Sequence, residues 1–369
     1  MEPAPGHCPR LPFGQTIGGA RTALARGLVA GSGLAVLAAC APTAAPLYSD
    51  TTTPVVLTTL AEAGIADLRG RYRAALCRRL PAGGPRCDDV LLRLPGEIPP
   101  PSDIPPPDAL RRYRVAFVPG LFAECLRALA RPFSDVIDGL SRAGVDAHYF
   151  SVSGRGSTAA NAERLATQIA ALPDDPRPLI VFAYSKGLPD LLELVLRRPE
   201  SAARIAAIVS VAGAANGSLL ADRHLTAYRQ WLSALPLASC RSGTGEEVED
   251  LRRDVRLEWW RRHRAAVSVP IFSLVTTPRP DRLSPVLTAV YRELARAEPR
   301  NDGMLFWYDQ LVSRGSLLGY VNADHWAVAT PLTRELRAMG FLFHDTVPRT
   351  LLVEAAIEVV DEALGARPR

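Results

Sequence analysis

The chain has 369 residues, 48% hydrophobic and 22% charged, a globular composition able to bury one large core. Its net charge of +5 comes almost wholly from arginine, with a single lysine, Lys186, among 43 basic residues. This bias reads as genomic base composition, and no basic stripe interleaved with aromatic residues occurs, so nucleic-acid binding has no support.

Residues 1–39 read as a targeting segment. Arg10, Arg21 and Arg26 precede an apolar stretch over 27–37 that is too short to span a membrane and ends in Leu37-Ala38-Ala39-Cys40. That ending resembles the lipobox of bacterial lipoproteins, which implies lipidation of Cys40 and anchoring of the mature chain to the cell envelope. Ala41, where such lipoproteins often carry aspartate for inner-membrane retention, implies the outer membrane. Export would leave Cys77, Cys87, Cys125 and Cys240 in an oxidising compartment. Cys77 and Cys87 flank the turn Pro81-Ala82-Gly83-Gly84-Pro85 and make the simplest local pair, which leaves Cys125 with Cys240. Four buried or free thiols are the alternative. No spacing makes a zinc site.

Residues 40–110 read as a tether, a small helical appendage and a linker stiffened by Pro99-Pro100-Pro101 and Pro105-Pro106-Pro107. Beyond 111 the rhythm changes. Strands are predicted over 115–118, 147–152, 179–182 and 205–211, alternating with helices over 123–143, 158–172 and 188–198. Such alternation implies βαβ units and a mostly parallel sheet, an α/β domain over 111–369. The rhythm breaks over 217–268, a largely helical stretch with Trp231, Trp259 and Trp260, expected as a cap insertion; a solvated helix pair without a lid role is the alternative. A strand over 271–275 and a final helix over 350–364 complete the pattern.

The apolar run 179–182 breaks into Ala183-Tyr184-Ser185-Lys186-Gly187, with helix-forming sequence beyond. This reads as a nucleophile elbow, a strained strand-turn-helix that exposes a serine hydroxyl and needs small residues on either side. A serine needs a general base, a group orienting that base, and donors for the oxyanion. His325, in a strand end running into a loop, is the base candidate, with His344 the runner-up. Asp302, in the tight Asn301-Asp302-Gly303 turn, is the acid candidate, with Asp281 the alternative; Asp324, beside the histidine, is expected to face solvent. The oxyanion donors are expected to be the backbone N–H of Lys186 and that of Leu121, with Phe122 second to Leu121. The Lys186 side chain is expected to pair with a nearby carboxylate, and Gly154-Arg155-Gly156 to be an ordinary surface loop.

Together, Val118-Pro119-Gly120-Leu121-Phe122, the elbow, Ala212-Gly213-Ala214-Ala215-Asn216-Gly217-Ser218, Asn301-Asp302-Gly303 and Asp324-His325 resemble the lipase-like α/β-hydrolases of bacteria. The resemblance covers about three-fifths of the chain. It implies an α/β-hydrolase fold, with helices on both faces of the sheet, and hydrolysis of carboxylic esters. Ser185, Asp302 and His325 match the triad, and Leu121 and Lys186 the oxyanion hole. Pro119-Gly120 replaces the His-Gly of many such lipases, and Ala183 replaces the first glycine of the elbow. The expected substrate is an ester or acyl lipid, with no metal or organic cofactor. Acyl transfer on the same triad, and a purely binding role in the envelope, are the alternatives.

Overall fold

The computed structural model describes residues 58–99, 109–127, 129–235 and 240–366; the expected signal segment, Cys40 and most of the proline-rich linker lie outside them. Eight strands form one sheet: β1 (Ala66–Asp67), β2 (Leu91–Leu92), β3 (Arg114–Val118), β4 (Ala147–Tyr149), β5 (Leu179–Tyr184), β6 (Ile205–Val211), β7 (Ile271–Thr276) and β8 (Ser316–Val321). Their order is β1-β8-β7-β6-β5-β3-β4, with β2 paired to β8. Every pairing is parallel except β2 with β8.

The helices of eight or more residues are α1 (Arg69–Arg79), α2 (Ser134–Arg142), α3 (Thr158–Ala170), α4 (Gly187–Arg197), α5 (Leu219–Ala227), α6 (Arg253–His263), α7 (Thr288–Ala295) and α8 (Arg349–Gly365). Because side chains alternate across a strand, β5 feeds two cores at once. Ile180, Phe182 and Tyr184 join Phe117, Phe133 and Phe272 under α1, α2 and α8. Leu179, Val181 and Ala183 join Leu165 and Ile169 of α3 and Leu191 and Leu192 of α4 on the other face. Covering both faces is what demands the mostly apolar runs of β5, β6 and β7, in which Ser210, Ser273 and Thr276 are the buried polar members. The α/β fold class expected from the rhythm is the one observed.

Two local outcomes differ from the sequence reading. The helix expected over 123–143 forms only over Ser134–Arg142: Pro132 has no N–H to give a helix, Phe133 stands at φ 60°, and the residues before them are tied by a Cys125–Cys240 disulfide. The described part of the expected appendage, 58–99, also does not stand apart. β1 pairs with Ser316 and Leu317 of β8, and β2 with Tyr320 and Val321 of the same strand, so two short strands cover an edge that would otherwise be open. α1 packs on α8, where the Tyr72 hydroxyl donates to the Leu352 carbonyl at 3.0 Å. A Cys77–Cys87 disulfide closes the turn after α1.

Candidate active site

β5 ends at Tyr184, α4 begins at Gly187, and between them Ser185 is held at φ 54°. A left-handed backbone at a non-glycine residue costs on the order of 1–3 kcal/mol, so it persists only where its surroundings dictate it. Here the Ser185 N–H donates to the Val211 carbonyl at 3.2 Å, and its carbonyl accepts from Ala214 at 3.0 Å and Leu188 at 3.2 Å. Two glycines make room for the turn. A Cβ on Gly187 would stand 2.6 Å from the Pro119 carbonyl oxygen, and one on Gly120 would stand 2.7 Å from the Ser185 Cβ. The loop after β3 therefore lies directly against the serine.

Ser185 Oγ lies 2.9 Å from His325 Nε2, and His325 Nδ1 lies 2.8 Å from Asp302 Oδ2. His325 sits in the loop after β8 and Asp302 in the turn after α7, so three distant segments meet at the C-terminal end of the sheet. Asp302 is fully buried, and its carboxylate is saturated with donors. Oδ1 accepts from Met304 N at 2.9 Å and Leu305 N at 2.7 Å; Oδ2 also accepts from the Thr276 hydroxyl at 2.6 Å and Gln310 Nε2 at 3.2 Å. The Tyr184 hydroxyl donates to the His325 carbonyl at 2.9 Å, and its ring lies 5.1 Å from the imidazole.

Thr276, Gln310 and Tyr184 were not singled out from sequence. Thr276 carried a faint signal, a polar residue closing an apolar strand; Gln310 carried none.

Asp324 does not face solvent. It is buried, accepting from Ser284 N at 2.8 Å, Trp326 N at 3.0 Å and Ala327 N at 2.9 Å, and burial pushes its carboxyl above the usual range. It shapes the turn that presents His325, and the reason is turn chemistry: an aspartate reaching the N–H groups two and three residues on. Asp281 is 72% exposed beside Arg282, and His344 is exposed; neither bonds Ser185.

The Phe122 N–H is engaged by the Gly154 carbonyl at 2.8 Å. The backbone N–H groups of Leu121 and Lys186 donate to no acceptor among the described residues, and the loop carrying Leu121 adjoins the serine that Lys186 follows. The Lys186 side chain is buried and turned away, with Nζ 2.5 Å from Asp190 Oδ1. Asn161 Nδ2 donates to the other Asp190 oxygen at 2.8 Å and to the Ser153 carbonyl at 3.1 Å. Burial pushes Asp190 up to about 6, against the pull of the Lys186 ammonium.

Arg155 is likewise no surface residue. It is 6% exposed, and its guanidinium donates to the carbonyls of Ser233 at 3.0 Å and Leu235 at 2.6 Å. Leu121, Phe122 and Met304 pack on a cluster containing Ala214, Leu225, Tyr228 and Leu305, which gives the site an apolar wall. A cavity of about 810 Å³ is lined by Trp307, Asp309 and Tyr320 among others, and none of Ser185, Asp302 and His325 borders it. No group of three or more His, Cys, Asp or Glu among the described residues is placed to hold a metal ion.

A serine on an elbow at the C-terminal end of a parallel sheet, followed in the chain by its acid and then its histidine, is the arrangement of the α/β-hydrolase fold. The solved structure of the metagenomic carboxyl esterase MGS0156 matches this chain with a TM-score of 0.78 and 34% identity, covering 84% of this chain and 97% of that one. The chain belongs to the α/β-hydrolase carboxyl esterases and is a serine ester hydrolase. The mature form of the lipase BlEst2 from Bacillus licheniformis is more distant, with 18% identity and a TM-score of 0.47 over 60% of this chain and 86% of that one. No protein-family model and no curated protein matches the chain.

Proposed function

We propose that the protein hydrolyses carboxylic esters through an acyl-enzyme on Ser185. The reading rests on the unbroken line from Ser185 Oγ to His325 to Asp302, with contacts of 2.9 and 2.8 Å. Ser185 Oγ attacks the ester carbonyl carbon while His325 Nε2 takes its proton, so the nucleophile never has to exist as a free alkoxide. Asp302 accepts the hydrogen bond of Nδ1–H, fixing the tautomer and stabilising the imidazolium that forms. The carbonyl oxygen, now negative, is received by the N–H groups of Leu121 and Lys186, which have no other partner among the described residues to release. Collapse expels the alcohol, protonated by His325. Water then enters, loses a proton to His325 and attacks the acyl carbon, returning Ser185 and the free acid.

Leu225 and Tyr228, within the segment 217–268, act as the cap in this reading, because they belong to the same apolar cluster as Leu121 and Phe122 beside the serine. That wall suits an acyl chain. Two disulfides support a non-cytosolic, oxidising location, in line with export.

A fluorophosphonate probe on the full chain should label Ser185, and Ser185→Ala should lose both labelling and roughly 10⁵-fold or more of p-nitrophenyl ester turnover. Undiminished turnover by that variant would refute the mechanism.

A further inference from the structure

Among the large apolar side chains exposed in this protein, five come from two short segments: Leu126 (45%) and Leu129 (51%), with Trp231 (73%), Leu232 (51%) and Leu235 (49%). Single exposed leucines are ordinary, but contiguous apolar patches mark contact surfaces. These segments are side by side because the structure ties them together. The Cys125–Cys240 disulfide joins the first to the far end of the second. Arg155, lying over the Phe122 ring at 5.7 Å, donates to the Ser233 and Leu235 carbonyls, and Phe122 meets Tyr228 at 6.0 Å.

Charge and position indicate the occupant. Arg127, two residues after Cys125, and Arg241, directly after Cys240, are exposed and form no ion pair among the described residues, so both ends of the disulfide carry an uncompensated cation beside the apolar side chains. The nearest acidic residue in the first segment, Glu124, is committed to the Gly154 N–H at 3.0 Å. Phe122 and Tyr228, just ahead of the two segments in the chain, belong to the apolar wall beside Ser185. A second copy of this chain suits the patch less well, since a twofold pairing would bring the two unpaired arginines against like charge.

We propose that Leu126, Leu129, Trp231, Leu232 and Leu235, flanked by Arg127 and Arg241, dock on an anionic lipid surface, so that the adjoining site takes esters presented at that surface. The docking role rests on its own geometry; only the substrate clause rests on the esterase mechanism proposed for Ser185. Basic side chains supply attraction to the headgroups, and the tryptophan and leucines enter the boundary with the acyl chains.

The test uses the full chain with vesicles of phosphatidylglycerol and phosphatidylcholine, or of phosphatidylcholine alone, read by flotation and by quenching of tryptophan emission with bromine-labelled acyl chains. Trp231→Ser/Leu235→Ser should weaken binding roughly tenfold or more. Arg127→Gln/Arg241→Gln should lose roughly tenfold or more on the anionic vesicles alone, together with the salt dependence. Both variants should turn over dissolved p-nitrophenyl acetate at the parent rate. Binding that does not change in the apolar variant overturns the proposal, as does a lipid-free dimer that this variant dissolves. If vesicle binding follows the patch while the parent fails to hydrolyse any ester, docking stands and the esterase mechanism falls.

Discussion

At Asp302, the proposed triad acid, the carboxylate is aimed by the groups around it. Two backbone N–H groups, a hydroxyl and an amide hold it in one rotamer, so His325 Nδ1 always meets the same oxygen. Asp302→Asn is expected to lower kcat by roughly 10⁴-fold through the wrong imidazole tautomer. Thr276→Val removes one donor to Oδ2 and keeps the shape of the strand end; it should lower kcat about tenfold with KM unchanged, a split that steady-state kinetics will show. A change confined to KM would mean that Thr276 does not position the acid. Lys186 works differently at the same scale. Its side chain is neutralised by Asp190 behind the elbow, which leaves only its main-chain N–H toward the serine.

Two disulfides of very different span tie the elements of the fold. Cys77 and Cys87 are 10 residues apart in sequence, Cys125 and Cys240 are 115 apart, and loop-closure entropy grows with that distance. In the chain-entropy model the long bridge contributes about 5 kcal/mol and the short one about 3 kcal/mol. Urea unfolding should therefore show Cys125→Ser/Cys240→Ser losing about 2 kcal/mol more than Cys77→Ser/Cys87→Ser. Equal losses would mean that strain or residual structure, not closure, governs both bridges. The 123–143 segment illustrates what sequence could not decide here: its composition suits a helix, yet Pro132 and the tie at Cys125 confine the helix to Ser134–Arg142.

Across the whole molecule, burial raises several carboxyls, and two of them, Asp309 and Asp190, reach into the range above about pH 5 and contribute a pH dependence of stability. Burial pushes Asp309 up to about 8, against the pull of Arg253, and Asp190 up to about 6. An unfolded aspartate titrates near about 4. Between about pH 4 and pH 8 the folded state therefore holds more protons than the unfolded chain, and stability falls as the pH rises through that window. Thermal unfolding from pH 5 to pH 8 should show Tm declining, with the upper part of the slope flattened in Asp309→Asn. A slope identical in parent and variant would exclude Asp309 as its source.

What the sequence by itself determined is local or periodic. Apolar runs fit for a doubly covered sheet gave the β3 to β7 series, and the small residues around Ser185 gave the elbow, because strand and helix patterns repeat within a few residues and tight turns accept few side chains. The order Ser185, Asp302, His325 could be read for the same reason, each lying in a recognisable turn or loop after a strand or helix. Tertiary structure alone decided which groups hold Asp302, why Asp324 is buried, how β1 and β2 cover the edge of β8, and where Arg155 reaches. The turns around Asp302 and Asp324 are local, but the remaining partners stand from 8 to 250 positions apart, and no local propensity selects such partners; packing does.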